Sequence, residues 1–156
     1  FYLILSAIAL VGAGLFWRLL VASLVMLIAG YLGEVHYEVA TGAGEAVSAA
    51  QLWGYFIVGT AAWLYIIYEI FAGEASKINA ASGTKASKRA FATMKWIVTI
   101  GWAIYPLGYL YGYAGGGNVD VLNGVYNLAD FVNKIAFGVA IWAAATSSDA
   151  MEKAEA

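Results

Sequence analysis

The segment YNLADFVNKIAFG, residues 126–138, places an aspartate and a lysine inside an otherwise apolar stretch. Lys134 lies near the middle of the apolar block 121–146, and Asp130 precedes it by one helical turn. Residues four apart share one face of a helix, so the two charged groups can interact directly. A charged side chain at the centre of a bilayer costs roughly 2.5–3.5 kcal/mol on insertion scales and commonly has a function. This segment therefore predicts a membrane helix with a buried lysine–aspartate pair.

The composition of the whole chain also indicates a bilayer environment. Of the 156 residues, 63% are hydrophobic and only 12% are charged, whereas a soluble domain is about half apolar and about a quarter charged. Because the chain has no cysteine and a single histidine, neither a disulfide framework nor a metal site is predicted. A net charge of -2 without a basic stripe makes nucleic acid an unexpected partner.

Charged residues divide the rest of the chain into apolar blocks of spanning length. A transmembrane helix needs about 20 mostly apolar residues. The blocks predict a single partial domain, 1–156, that is an all-α transmembrane bundle with one partial helix and four spans. The predicted ranges are 1–10 for the partial helix, 18–35, 48–72, 90–113 and 121–146 for the spans, and 147–156 for a tail. The partial helix is expected to be the end of a helix that begins upstream.

Lysine and arginine residues predict how the chain lies in the membrane. With alternating spans, seven of the eight fall on one side, and the opposite loops, 34–51 and 115–121, contain none. Loops rich in these residues face the cytoplasm. We therefore predict a multi-pass protein of the cell (inner) membrane with a cytoplasmic C-terminal tail. On this topology His36 is expected in a solvated external loop and Glu69 at the cytoplasmic interface, with a role in proton exchange as the alternative for Glu69.

The segment WAIYPLGY, residues 102–109, is a second candidate for function. The proline removes a backbone N–H and is expected to kink the helix. An ordinary aromatic core with a tolerated proline is the simpler interpretation. Beside a buried lysine–aspartate pair, however, a stacked pocket for a flat polyene is favoured. The residues that share one face of this segment are Trp102, Tyr105, Pro106 and Tyr109.

Small residues stand beside large ones on the first two full spans. Met26 and Gly30 are one turn apart on the first, and Gly59 and Trp63 are one turn apart on the second. Glycine on a membrane helix usually allows close helix packing. Lining of a pocket is the alternative, and the spacing does not decide between the two.

The chemistry of Lys134 can be stated more sharply. A lysine amine held in an apolar site can act as a nucleophile toward aldehydes and form a Schiff base. The protonated Schiff base then needs a buried anion, and Asp130 lies where that counterion is required. The alternative is a structural ion pair that joins helices.

Five strings resemble, in order along the chain, the later helices of the proteorhodopsin-like microbial rhodopsins. Residues 126–138 resemble their last helix, including its retinal-bearing lysine, and WAIYPLGY resembles their sixth. Their fifth and fourth helices resemble AAWLYIIYEIFAGE, 61–74, and LVASLVMLIAGYLGE, 20–34, and the end of their third resembles FYLIL, 1–5. The chain is identified as a member of this family that covers the end of the third helix to the seventh.

The resemblance implies all-trans-retinal as the cofactor, bound as a Schiff base on Lys134, with Asp130 in the counterion complex. It also implies that Asn133, next to the lysine, tunes the pocket. One side of the polyene would be lined by Trp102, Tyr105, Pro106 and Tyr109. The ring end and the other side would be faced by Met26, Gly30, Gly59 and Trp63.

The resemblance further implies a light-driven outward proton pump, which is a transporter and not an enzyme. A pump of another ion or a photosensory rhodopsin would use the same pocket, and a non-photoactive membrane protein with a structural pair is a more distant alternative. The expected partners are retinal, the lipid bilayer, the transported proton, further copies in a homo-oligomer, and the N-terminal helices of the same protein. In this family those helices carry the primary counterion and the proton donor, so the chain alone is not expected to form a stable pigment.

Overall fold

A computed structural model describes residues 1–147, and this part of the chain is helical without any strand. The all-α class predicted from the sequence is therefore confirmed. Two π-helical segments, Ile97–Gly101 and Leu110–Ala114, flank the short helix α6. The α-helices are α1 (Tyr2–Ser6), α2 (Ala13–Gly42), α3 (Ala49–Phe71), α4 (Glu74–Ser82), α5 (Lys85–Trp96), α6 (Ile104–Tyr109) and α7 (Val119–Ala145).

Three of these helical stretches are long and apolar enough to cross a bilayer, namely Ala13–Gly42, Ala49–Ser82 and Val119–Ala145. Their apolar side chains point largely outward, and none of the apolar window of α7 is buried within the chain. Outward-facing apolar side chains are what a lipid environment requires, since a helix satisfies its own backbone hydrogen bonds. The chain is thus built as a multi-pass membrane protein.

Helix α2 is longer than the span predicted over 18–35, because it continues through the predicted external loop as far as Gly42. It ends before Gly44, whose φ of 71° is a conformation that glycine adopts without steric cost. His36 consequently lies on a helix and is half-buried, so the expectation of a solvated loop position was wrong.

The segment that joins the second and third full spans is also helical. Helix α3 keeps close to the predicted range 48–72, with Ser48 as its N-cap. The polar helix α4 follows it, where the sequence analysis placed a loop. Helix α5 then begins at Lys85, before the predicted start of the range 90–113, because the Thr84 hydroxyl accepts a hydrogen bond of 3.1 Å from the backbone N–H of Ser87.

Helix α5, the two π-helical segments and α6 form one irregular helix over residues 85–114, here called the proline helix. Pro106 lies on α6 and has no N–H to donate, which accounts for a break in the regular pattern. The proline helix is interrupted too often to count as a long apolar span, although it occupies the place of the third predicted span.

The first and last helices can both be compared with their predicted ranges, whereas most of the predicted tail cannot. The partial helix expected over 1–10 is shorter in the structure and ends at Ser6. Helix α7 nearly coincides with the predicted range 121–146. The predicted tail, 147–156, lies outside the described residues except for Ser147.

Two hydrophobic clusters connect the helices. The first contains Leu15, Ile70 and Phe91, and the half-buried Trp63 and Trp102 pack against it. The second is smaller and joins α3, the proline helix and α7 through Leu52, Tyr109, Tyr113 and Leu122. Because cavity-lining aromatic residues belong to both clusters, packing of the helices also fixes the walls of the cavity described below.

Candidate functional site

The amine of Lys134 and a carboxylate oxygen of Asp130 form an ion pair one turn apart on α7. Their spacing in the sequence predicts that the two groups interact, and the structure places them together. The sequence also predicts burial, but the Lys134 side chain is 76% exposed and that of Asp130 is 41% exposed within this chain. The difference arises because α7 packs against the proline helix on one side and leaves its other side open.

Tyr105 holds the second oxygen of the same carboxylate. Its hydroxyl donates a hydrogen bond to Oδ1 of Asp130, while Lys134 occupies Oδ2. The ring of Tyr105 packs against that of Tyr126, with 5.3 Å between centroids, and the Tyr126 hydroxyl donates to the Tyr105 carbonyl at 2.8 Å. The carboxylate is therefore oriented from two helices before any ligand is considered.

A cavity of about 710 Å³ opens beside this pair. Its volume lies within the range of about 300–1,000 Å³ that is usual for sites of small molecules and cofactors. Helices α2 and α3 form one wall, the proline helix another, and α7 a third. All of the predicted site residues line it, namely Met26, Gly30, Gly59, Trp63, Trp102, Tyr105, Pro106, Tyr109, Asp130, Asn133 and Lys134.

The two predicted glycines contribute to this cavity in different ways. A Cβ atom added to Gly30 would meet nothing within 4 Å, so this glycine widens the cavity. A Cβ atom added to Gly59 would lie 3.5 Å from the Cβ of Ala29 and 3.5 Å from the carbonyl oxygen of Met26. Gly59 therefore lines the cavity at a close contact between α2 and α3, and its packing and lining roles coexist.

The arrangement suits a long, flat, apolar molecule with an aldehyde at one end. Aromatic side chains and glycines offer flat, apolar walls, and the amine that could react with the aldehyde lies at one edge. The open space beside Gly30 and the volume of the cavity provide room for such a molecule.

Residues 1–148 match the family described as bacteriorhodopsin-like protein. The chain belongs to this family. The resemblance found in the sequence is thereby confirmed.

Individual relatives of this family are similar along nearly the whole chain. Over 145 residues the chain is 50% identical to the green-light absorbing proteorhodopsin of Gamma-proteobacterium EBAC31A08 and 47% identical to the blue-light absorbing proteorhodopsin of Gamma-proteobacterium Hot 75m4. Each alignment covers 91% of this chain and 53% of the relative. The chain thus spans about half the length of the curated relatives it matches.

A solved structure of the same kind supports the fold of this bacteriorhodopsin-like chain. It is the crystal structure of a blue light-absorbing proteorhodopsin from Med12, with 53% sequence identity and a TM-score of 0.65. The similarity covers 92% of this chain and 57% of the other.

Several cavity-lining residues of this bacteriorhodopsin-like chain were not predicted. Most lie one helical turn from a predicted residue: Glu34 follows Gly30 by four positions, and Tyr126 precedes Asp130 by four. Extending each predicted face by one turn would have found them. The additional lining residues are Leu27, Tyr31, Glu34, Tyr55, Phe56, Thr60, Tyr126, Asn127, Phe137 and Gly138.

A second polar cluster of this bacteriorhodopsin-like chain lies at the end of α3, away from the cavity. Glu69 lies two residues before the end of α3 and is only 4% exposed within the chain, and its place at the cytoplasmic interface stays a prediction. Its carboxylate accepts hydrogen bonds from Arg18 Nε at 3.2 Å, the Tyr65 hydroxyl at 3.0 Å and the Glu74 backbone N–H at 3.0 Å. Arg18 also pairs with the Glu74 carboxylate at 2.5 Å. The cluster therefore ties together α2, α3 and α4.

Proposed function

We propose that this chain is part of a retinal-binding, light-driven pump that moves protons outward across the cell membrane. The observation that carries the proposal is the Lys134–Asp130 pair on the wall of an aromatic cavity of suitable size. Membership of the bacteriorhodopsin-like family and the similarity to light-absorbing proteorhodopsins support it.

Lys134 would hold all-trans-retinal as a Schiff base through its amine. Retinal, when bound, would supply light absorption and a change of shape. Asp130 offers a negative charge next to the nitrogen, where the low dielectric constant of a closed site strengthens the attraction. The hydroxyl of Tyr105 keeps that carboxylate turned toward the lysine. These residues would thereby hold the proton at the nitrogen until the geometry of the site changes.

The walls of the cavity would orient the ligand and exclude water. Trp102, Tyr105 and Pro106 form the wall contributed by the proline helix, and Gly59 and Trp63 line the wall contributed by α3. Helices that complete the protein would cover the open face of α7. We propose that they include the N-terminal helices of the same protein and supply the remaining carboxylates of the proton path.

We also propose that the C-terminus of α7, helix α4 and the first turns of α5 face the cytoplasm. Four basic residues in the range 77–89 are exposed there, which agrees with the preference of lysine and arginine for the cytoplasmic side. The remaining partners proposed are the lipid bilayer, the transported proton and further copies of the protein in a homo-oligomer. On this proposal the protein is a transporter and not an enzyme.

The test is to express the full-length gene in retinal-supplemented cells and to record the pH of a lightly buffered suspension under illumination. Acidification that a protonophore abolishes is expected. Alkalinisation that a protonophore enhances would show that another ion moves, and a coloured membrane without a pH change would favour a photosensor.

The retinal assignment is tested separately by colour. The wild-type pigment should bleach when it is illuminated in hydroxylamine, and Lys134→Ala should be colourless. Lys95→Ala is the matched control, because this lysine lies outside the cavity and should leave the colour unchanged. Colour that survived in Lys134→Ala would rule out the proposed attachment.

A further inference from the structure

The irregular part of the proline helix leaves several backbone carbonyls without their normal partners, among them those of Gly101 and Val98. The α-helical partner of the Gly101 carbonyl would be the N–H of Tyr105, which instead donates to Trp102 at 3.1 Å. The π-helical partner would be Pro106, which has no N–H. Gly101 is half-buried, and a carbonyl that is shielded from water and has no donor costs free energy, so a partner from elsewhere stabilises the Gly101 carbonyl.

The Val98 carbonyl is in the same situation. Its α-helical partner would be the N–H of Trp102, which donates to Ile97 at 3.1 Å. Its π-helical partner would be the N–H of Ala103, which donates to Ile100 at 3.3 Å.

Side chains of two other helices donate to these carbonyls. Asn133 of α7 donates its amide N–H to the Gly101 carbonyl at 3.0 Å. Trp63 of α3 donates its indole N–H to the Val98 carbonyl at 2.9 Å. The π-helical segment Ile97–Gly101, here called the irregular turn, is therefore held from both sides. Trp102, which lines the cavity, directly follows it in the chain.

Gly101 is what allows Asn133 to come so close. A Cβ atom at this position would overlap Oδ1 of Asn133 and would lie 3.0 Å from its Cγ. The amide of Asn133 is thus committed to the backbone of the proline helix, while the next residue along α7 is Lys134.

We propose that Asn133 is a positioning residue, whose hydrogen bond to Gly101 fixes the irregular turn and thereby the place of Trp102 in the cavity wall. Trp63 supports the same turn from α3. This role differs from tuning the pocket by direct contact, because Asn133 acts through the backbone of a neighbouring helix. The effect on colour rests on the proposed function, whereas the effect on the backbone does not.

The first test measures amide hydrogen exchange in peptides that cover residues 97–105 of the full-length protein, prepared with and without retinal. Asn133→Ala should speed exchange there roughly tenfold, since the half-buried Gly101 carbonyl loses its side-chain donor. Asn123→Ala is the matched control, because this half-buried asparagine of α7 makes no side-chain hydrogen bond within residues 1–147. The proposal would be overturned if exchange at 97–105 in Asn133→Ala were as slow as in wild type. It would also be overturned if Asn133→Ala and Asn123→Ala accelerated exchange equally.

Gly101→Ala provides a second variant that keeps Asn133. It should speed exchange at 97–105 in the same way, and it decides the question if Asn133→Ala does not fold. The double variant lacks the Asn133 amide with which the new Cβ would collide, so its exchange should be no faster than in either single variant. Fully additive acceleration would mean that the two residues act independently and would contradict the proposal.

The absorption maximum of the pigment is a second measurement. It should stay unchanged if Asn133 and Gly101 only stabilise the fold. Gly101 does not line the cavity, so a shifted maximum in Gly101→Ala must come through the lining residues next to it, Trp102 and Asn133. Gly101→Ala and Asn133→Ala should shift the maximum in the same direction, and Asn123→Ala should not. An unshifted maximum in Gly101→Ala would overturn the positioning role. A colourless wild type would instead refute the proposed function, and hydrogen exchange would still decide the part that concerns the backbone.

Discussion

Tyr105 on the proline helix donates a hydrogen bond to Asp130 on α7, and that carboxylate is also the one paired with Lys134. The relationship joins two helices at the point where a charged ligand nitrogen would lie. Packing of the proline helix against α7 and the electrostatics of the site are therefore set by the same contact.

Tyr105→Phe removes only this hydroxyl. A hydrogen bond to a charged group contributes about 1.5–3 kcal/mol, so the free energy of unfolding should fall by about that amount. Bleaching by hydroxylamine should be faster because the carboxylate is less firmly oriented. Both are measured on the full-length pigment, by thermal unfolding and by loss of visible absorbance.

The matched control is Tyr111→Phe. Tyr111 lies on the same helix and is 56% exposed, and its hydroxyl makes no hydrogen bond within the described part of the chain. Its removal should leave both measurements unchanged. Equal effects of the two substitutions would show that the contact with Asp130 contributes nothing specific.

Glu69→Gln should destabilise the protein more than Glu74→Gln. Glu69 is buried and accepts three hydrogen bonds, two of them from groups other than Arg18. Its neutralisation should cost about 1.5–3 kcal/mol of unfolding free energy. The Arg18–Glu74 pair is half-exposed on both sides, and such pairs contribute about 0–1 kcal/mol.

Thermal unfolding of the two variants in the same lipid measures this difference. Exchange of amide hydrogens in α4 should rise mainly in Glu69→Gln, since its carboxylate accepts from the first N–H of α4. A larger loss of stability in Glu74→Gln would mean that the half-exposed pair is the dominant one.

Gly30→Ala and Gly33→Ala should have opposite effects although they lie one turn apart on α2. A Cβ at Gly30 meets open space, and alanine is favoured over glycine within a helix by roughly 0.5–1 kcal/mol. A Cβ at Gly33 would overlap the side chain of Tyr109, which is buried and donates to the Leu52 carbonyl at 3.1 Å. Overpacking of this kind costs about 1–3 kcal/mol.

Unfolding temperatures of the two alanine variants without retinal, compared with retinal-free wild type, check this prediction. Gly30→Ala should be as stable as wild type or more so, and a change in its absorption maximum would report the methyl group in the cavity. Equal stability of both variants would show that Tyr109 can move aside without loss.

The sequence predicted the site best at residues whose side chains are energetically unfavourable in an apolar helix. Lys134 and Asp130 stand out because charge in an apolar helix is expensive, and Pro106 stands out because it cannot donate a backbone hydrogen bond. The face shared by Trp102, Tyr105 and Tyr109 follows from helical periodicity alone. These features led directly to residues that line the cavity.

Other features depend on contacts between helices, which a single sequence does not contain. The buried Glu69 pairs with Arg18, which is distant in the chain. The extension of α2 beyond His36 had no strong stop signal to place its end. The hydrogen bond from Asn133 to the Gly101 carbonyl cannot be predicted without knowing which carbonyls of the irregular turn lack a backbone donor.

The π-helical segment Ile97–Gly101 also changes the phase of the helix that contains it. One extra residue in a turn rotates everything that follows by about 100° relative to an uninterrupted α-helix. The extra residue lies between Phe91, which is buried on α5, and Tyr105, which lines the cavity from α6. Deleting one residue within 97–101 would remove this rotation, and it would turn the aromatic wall away from Lys134.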